Sequence, residues 1–558
     1  MEYKIQARNH WWFDAGIAGL YFIAKKVEHE NDNIKISFDS DCLSFHGDSE
    51  EDIRSFLQSC YSQLASQYWN VSTKEQIRKN ELVLYNRETG EFSLAPKRQP
   101  TPVVSNFVKA SSWKAEGIDY KDMDEELKAK VDEYLDETGK VLWGTNKRLL
   151  FSMPECQPII KILPDENTKK QSTCSVCGKL TSNLIDISQP SFLLFASTSA
   201  TTSFHTQGKK PAKICWECEL LSKFTMETIN YKKDDTKLSI LLLNSPDIAH
   251  NINNQKKIGC SSALRSIDED YFYKNIGFDD KGLISKARMS YELLWAYFVD
   301  TYDILRSNVS SQDENEDDPF KAFLSDIVSS PIEIVIICFD KMGQTFLTKE
   351  MIFYNDVSYA FRLIQRFMDE GVNIKDVFYS LYETDNKGNL KPSRNNTFRK
   401  VLNKHCILSD IESIAFRKVI NGKEGKFINI SNMLNFLTEY YLIIKEDTMN
   451  KEQIDVAVKL GKQIVNQAYK ESGESKEMLK RIKGDLFTLR KTRTVTDFIV
   501  QLNALQFRYG ISVSNSILEG ILNEVPFEDF KGYCIMGALN SYNYYNSNPR
   551  EKEEKKNE

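Results

Sequence analysis

The sequence predicts an α+β protein: a mixed N-terminal region, an inserted four-cysteine zinc element and a C-terminal all-α helical bundle. Three observations predict it. Compact apolar runs bounded by turn residues, TKLSILLLNSP (Thr236–Pro246) and PIEIVIICFD (Pro331–Asp340), read as buried strands among helical stripes. Cysteines pair as CxxC twice, at Cys174 and Cys177 and again at Cys215 and Cys218. From about Lys375 onward the strand signals thin out and helical stripes remain.

At 558 residues, with roughly 150 residues to a domain, the chain has length for about three or four units. Shifts in pattern place an N-terminal α+β region at 1–165, a zinc-binding insertion at 166–232, a central α+β region at 233–410, a helical bundle at 411–545 and a charged tail at 546–558. A hydrophobic fraction of 41% and a charged fraction of 27% are ordinary for globular proteins, which argues against a disordered or fibrous chain. A formal net charge of -6 argues against a protein that coats nucleic acid through bulk positive charge and leaves room for a local basic groove.

Taken in order, Asp14 is expected to cap a core helix whose Ile17, Ala18, Leu20, Tyr21 and Ala24 share one face. Ile36–Phe45 looks strand-like, and Glu51–Trp69 carries a helical stripe of Ile53, Phe56, Leu57, Cys60, Tyr61 and Leu64. Glu81–Pro96 reads as two short strands joined by a turn at Glu88–Gly90, and Ser191–Ser197 as another strand. An apolar helix around Tyr291–Leu305 precedes the acidic stretch Ser310–Pro319, which reads as an exposed loop. In the tail, Ile454, Ala457, Val458, Val465 and Ala468 recur with helical spacing.

Trp11–Ala24 follows Lys4 and Arg8, but Asp14 interrupts it and no small-residue cleavage site follows, so a helix of a cytosolic protein is expected and not a signal. No uncharged run is long enough for a bilayer, and no membrane contact is expected. Outside the two pairs, Cys42, Cys60, Cys156, Cys260, Cys338, Cys406 and Cys534 are scattered, as in a reduced, cytoplasmic chain.

A CxxC turn brings two thiolates onto one ion, and two such turns complete a tetrahedral shell around structural zinc with no position left for a catalytic water. Gly178 and Lys179 after the first pair fit a knuckle in which backbone amides curl toward sulfur, and Trp216 is placed to cover the site. Buried thiol pairs or a redox dithiol are the alternatives. Cys215 comes 38 positions after Cys177, so an inserted element separates the halves. Its loop, Thr198–Lys213, offers Thr201, Thr202, Ser203, His205, Lys209 and Lys210, the donors a phosphate-contacting loop uses; a plain surface loop is the alternative.

No phosphate-binding GxxxxGK[ST] loop, HExxH or GxSxG is present. Asp279 and Asp280 in IGFDDKG could hold divalent metals if strands flanked them; a polar turn is the plainer reading. Basic clusters at Lys97 and Arg98, at Lys147 and Arg148, in KPSRNNTFRK (Lys391–Lys400), and at Lys480, Arg481, Lys483, Arg490, Lys491 and Arg493 are either phosphate contacts or solvated faces. In the last of these, Leu486, Phe487 and Leu489 are available to pack inward.

With its WWFDAGIAGL opening, two CxxC pairs in the middle third and a helical tail with a basic span, the chain resembles the large subunit of the type I CRISPR interference complex, Cascade, in its zinc-containing type I-B branch. In that family the N-terminus reads as a small polar turn, an aromatic, Asp, a small residue and Gly. Phe13, Asp14, Ala15 and Gly16 match, Asn9 matches loosely, and His10 and Trp11 depart from the expected glycine- and proline-containing turn. The resemblance implies a non-enzymatic DNA-binding subunit in antiviral defence. It would read the protospacer-adjacent motif in duplex DNA, help open it and present the displaced strand to a helicase-nuclease, while guide RNA on the backbone subunits reads the sequence by pairing. It further implies that the C-terminal bundle acts as a small subunit does, with Met449 a candidate internal start for a separate one. Two other classes remain beside it: a metal-dependent polymerase-like or nuclease subunit using Asp279 and Asp280, and a zinc-stabilised protein-interaction scaffold.

Overall fold

The computed structural model describes residues 1–29, 33–72, 74–98, 113–156, 160–165, 171–187, 191–194, 213–233, 236–258, 282–309, 331–342, 345–422, 427–444, 449–471, 476–514, 517 and 521–547. They belong to two units, Met1–Ser285 with Val309–Ser358, and Lys286–Asn308 with Tyr359–Glu558.

The first unit is built around its most apolar helix. A helix that is apolar on all sides must be surrounded by protein, and α1 (Trp11–Glu28) is buried from Trp12 through Tyr21. It starts one turn earlier than its sequence suggests. His10 is the cap, its ring Nδ1 accepting the Trp12 N–H at 3.1 Å. Asp14 instead sits inside the helix and accepts the backbone N–H groups of Arg8 (2.7 Å) and His10 (2.8 Å). The carboxylate thus ties down the entering turn, where Asn9 takes a left-handed φ of 53°.

Strand β1 (Glu2–Gln6) leads into α1, and β2 (Lys35–Phe38) and β3 (Cys42–His46) follow it in an antiparallel sheet of order β1-β3-β2. The stretch Ile36–Phe45 is therefore two strands. Asp39 makes the break, its Oδ1 accepting the N–H groups of Asp41 and Cys42, both at 2.8 Å. Helix α2 (Glu50–Tyr68) opens with a capping box between Ser49 and Asp52 and buries all six residues of its predicted stripe.

A second sheet comprises β4 (Leu82–Tyr85) and β5 (Phe92–Ala95), then, after the short β6 (Trp113–Lys114), β7 (Gly117–Asp119) and β8 (Arg148–Leu150), in the order β5-β4-β8-β7. The expected hairpin turn is present, with Gly90 at φ 72°. Helix α3 (Glu125–Thr138) covers this sheet by burying Val131 with Val83 and Leu149. β6 pairs with β9 (Glu155–Cys156).

The cysteine element consists of two ribbons and a helix: β10 (Ser172–Thr173) with β11 (Leu180–Thr181), β12 (Leu184–Asp186) with β13 (Lys213–Cys215), and α4 (Trp216–Phe224). Within Ser191–Ser197, expected as a strand, the described residues 191–194 form turns. Phe192 lies 5.2 to 6.3 Å from the rings of His10, Trp11, Trp12 and Phe13 and Leu193 is buried; filling that aromatic nest takes precedence over pairing. A third sheet, β14 (Asn230–Lys233), β15 (Lys237–Asn244), β16 (Glu333–Met342) and β17 (Thr345–Tyr354), is antiparallel in sequence order, so the two predicted buried strands are its central pair. Helix α5 (Ile248–Ile258) follows β15.

The second unit is helical: α6 (Ser290–Val309), α7 (Val357–Asp369), α8 (Ile374–Ser380), α9 (Ser393–Leu402), α10 (Leu408–Asn421), α11 (Ile430–Ile444), α12 (Lys451–Glu471), α13 (Lys476–Arg490), α14 (Val495–Tyr509) and α15 (Phe527–Ser547) are its main elements. Trp295 is its aromatic centre, stacked on Phe398 at 5.0 Å and edge-on to Phe367 and Phe436. A buried ion pair, Arg394 with Glu292 at 2.6 Å, crosses from α9 to α6. Helices α12 and α15 touch through glycines: a Cβ on Gly461 would meet the backbone of Cys534, and one on Gly537 the backbone of Val458.

Candidate metal centre

The first cysteine pair lies in the turn between β10 and β11. Cys174 N–H donates to the Lys179 carbonyl (2.9 Å) and Gly178 N–H to the Cys174 carbonyl (3.0 Å), closing a loop that requires the positive φ of 73° at Gly178. The second pair is set differently. Cys215 ends β13 and is the residue before α4, and Cys218 is in that helix's first turn. A helix N-terminus favours negative charge, so α4 presents both sulfurs where thiolates are stabilised.

Pairing of β12 with β13, Leu184 opposite Cys215, brings the halves together. Cys174 Sγ is 3.9 Å from Cys218 Sγ, Cys177 Sγ is 3.6 Å from Cys215 Sγ, and all four sulfurs lie within 4.8 Å of one another. Four sulfurs each about 2.3 Å from one tetrahedral ion stand about 3.8 Å apart. The separations fit that shell and are far beyond the ~2 Å of a disulfide. Cys174, Cys215 and Cys218 are buried and Cys177 is half-buried. Hydrogen bonding with Cys177, Cys215 and Cys218 pushes the Cys174 thiol well below its usual range, and contacts with Cys174 and Cys177 push Cys215 and Cys218 up, because one buried cluster cannot ionise everywhere without a cation. This donor set would hold a thiophilic tetrahedral metal ion through four thiolates.

A charged network backs the cluster. Glu217, between the cysteines of the second pair, accepts from Arg8 (2.6 Å), Tyr3 (2.8 Å) and Lys179 (2.9 Å). Burial alone would raise its carboxyl; the hydrogen bond from Lys179 and the Arg8 charge hold it below the usual range. Arg8 and Glu217 are both buried, and Arg8 stays charged despite desolvation because Cys218 and Glu217 lie close. Trp216, expected as a cover, is buried with its ring 6.1 Å from Tyr3.

The centre is docked on α1. A Cβ on Gly16 would stand 2.8 Å from the Leu221 carbonyl carbon, and one on Gly19 2.8 Å from that of Phe224, so α4 crosses α1 backbone to backbone. Thr225 and Thr228, in the turn after α4, donate their hydroxyls to the carbonyls of Trp12 (2.9 Å) and Ala15 (3.1 Å). Trp12, Ala15, Gly16 and Gly19 therefore form a helix-docking surface for the cysteine helix and the turn after it.

Thr201, Thr202, Ser203, His205, Lys209 and Lys210 lie outside the described residues, as do Asp279 and Asp280. Among the basic candidates, Arg98 pairs with Glu155 at 2.5 Å, and Arg148 donates to the Gly117 carbonyl at 2.9 Å. Arg490 forms a two-pronged pair with Glu412 (2.7 and 3.0 Å) over the Phe416 ring. These three have partners within the fold. Lys97, Lys147, Arg481, Lys491 and Arg493 are exposed and Lys483 is half-buried. Leu486 and Leu489 are fully buried and Phe487 packs on Phe416 at 4.9 Å. Sequence reading missed Arg8, Tyr3 and Glu217; the available signal was an acid inside CWEC, which a thiolate cluster tolerates only if cations are near.

Fold and site define an α+β protein with a buried four-cysteine centre built onto its N-terminal core helix. No protein-family model matches the chain, and no curated protein matches it at a significant level. Among the described residues no helix is long and apolar enough to cross a membrane.

Proposed function

We propose that the chain is the large subunit of an RNA-guided CRISPR interference complex of the Cascade type, with structural zinc on Cys174, Cys177, Cys215 and Cys218. In this reading it works in the cytoplasm beside guide RNA and backbone subunits. It holds target duplex DNA at the protospacer-adjacent motif, helps open the duplex and presents the displaced strand to a helicase-nuclease, without an active site of its own. One observation supports it above others: two residues of the FDAG segment, Ala15 and Gly16, pack against the helix and following turn that carry the second CxxC pair, whose sulfurs cluster with those of the first.

Four soft thiolates with no open position suit a closed structural ion, and zinc is the plainest occupant. Such an ion pins the chain on both sides of residues 195–212, where the hydroxyl- and lysine-rich segment lies. Exposed Lys97, Lys147, Arg481, Lys491 and Arg493 supply further phosphate contacts.

The test uses purified full-length protein: elemental analysis for bound metal, then duplex binding over a salt series with the adjacent motif varied. One zinc per chain, a steep salt dependence and a preference for one short motif are expected. Duplex binding indifferent to every motif, or metal-dependent cleavage or extension lost in Asp279→Ala and Asp280→Ala, would overturn the reading, the latter in favour of an enzyme. Translation from Met449, two residues ahead of α12, would supply a separate small subunit; intact-mass analysis finding only the full-length product in the native host removes that part.

A further inference from the structure

A cavity of about 620 Å³ opens within the second unit, and its lining is cationic in a chain of formal net charge -6. Lys286, Arg288, Arg394 and Lys418 line it against one carboxylate, Asp376. Three large rings share the lining: Tyr379, Tyr382 and Phe427 are 39%, 43% and 53% exposed. Aromatic rings left in water around a concave surface mark a binding site more often than a packing fault.

The cavity wall is built, not incidental. Arg394 is 2% exposed, fixed by Glu292 at 2.6 Å, with its guanidinium 4.0 Å from the centre of the Phe378 ring and 5.2 Å from that of Tyr382. Its Nε is buried without a hydrogen-bond partner among the described residues, a donor that costs stability until something meets it. Lys418 is braced by the carbonyls of Ser380 (2.7 Å) and Phe427 (3.2 Å), which hold its ammonium in place.

A small acid would use the cations and leave the rings idle, and an apolar ligand would do the reverse. A nucleoside phosphate uses both: phosphate oxygens on Lys286 and Arg288, the base against a tyrosine face. The volume is that of a pocket for one such unit and not for a base pair within a duplex. We propose that this cavity binds one unpaired nucleotide of single-stranded nucleic acid. The inference deepens the displaced-strand part of the reading above and rests on it for the strand's source, though the binding itself needs neither the metal centre nor an adjacent motif.

The test is fluorescence anisotropy on the full-length protein with a labelled oligothymidylate of about 15 nucleotides, competed by thymidine monophosphate and by inorganic phosphate. Tyr379→Ala with Tyr382→Ala should weaken oligonucleotide binding about tenfold or more, and Tyr382→Phe should restore it. Lys286→Ala with Arg288→Ala should weaken it and flatten its salt dependence. All four positions are surface-exposed, and unchanged circular dichroism melting guards against misfolding. Wild-type affinity in both double variants overturns the proposal. So does competition by inorganic phosphate as effective as by the nucleotide, which removes the base; competition by the mononucleotide as strong as by unlabelled oligomer reassigns the pocket to free nucleotide and overturns the strand. Motif-dependent duplex binding, measured in parallel, stands or falls separately.

Discussion

Replacing Gly16 with Ala separates a packing glycine from an incidental one by the sign of its effect. An unconstrained helical glycine gains about 1 kcal/mol on becoming alanine. At Gly16 the new Cβ would stand 2.8 Å from the Leu221 carbonyl carbon and 3.0 Å from Thr225 Oγ1. Carbon atoms in contact prefer about 3.5 to 4.0 Å, so α1 and α4 must separate by roughly 1 Å. The obstacle is main chain and cannot rotate away. Overpacking of this kind costs about 1–3 kcal/mol, at the upper end here because Thr225 and Thr228 lose register with the carbonyls of Trp12 and Ala15. A net loss of about 2 kcal/mol is expected, confined to the first unit. Because two units make one global unfolding energy ill-defined, the assay is amide hydrogen exchange on α1 and α4, with metal release to a chromophoric chelator beside it. Gly484→Ala in α13, where nothing lies within 4 Å of a built Cβ, is the control and should protect its own helix. If Gly16→Ala also increases protection, and metal release is unchanged, the docking argument is wrong.

The other expectations are as direct. Cys218→Ser should remove the metal and raise hydrogen exchange in β10–β13 and α4; full metal occupancy with unchanged exchange would refute the tetrathiolate. Burial pushes the His10 imidazole down to about 4, against ~6.5 in an unfolded chain. Only the unfolded chain takes up a proton between those values, so stability is full above pH 6.5 and falls by about 3 kcal/mol as pH drops toward 4. His10→Asn, which keeps a capping side chain, should flatten that part of the stability profile, and an identical slope would show His10 is not responsible. Arg394→Ala leaves Glu292 buried and unpaired and should cost about 3–5 kcal/mol in the second unit, whereas Arg394→Met with Glu292→Leu should recover most of it. Equal urea midpoints for the single and double variants would mean the pair is not coupled.

Much of the fold was legible because burial leaves a period in the sequence. The stripe from Ile53 to Leu64, the apolar runs that became β15 and β16, and the turn at Gly90 all follow from local pattern. What failed were places where a side chain met a partner distant in sequence. Asp14 looks like a cap by its own position, but His10 occupies that role and the carboxylate closes the turn before it. Phe192 belongs to a strand-like stretch, yet a nest of rings from α1 takes it.

The candidate centre divides the same way. Its ligands were readable because chelation demands a fixed local spacing, and CxxC states it twice. Its surroundings were not, since Arg8 and Glu217 are 209 residues apart and neither has a local pattern to announce it. The energetic consequence runs from the hidden part to the visible one. Four thiolates on a divalent ion carry net negative charge, and Glu217 adds another within the buried region; among the described residues Arg8, brought in behind β1, and Lys179 offset it. Because Arg8 also carries the N–H held by Asp14, the entry into α1 and the charge balance of the centre are one construction. It follows that the cysteine element should not hold its structure if excised without β1 and α1, however complete its ligand set.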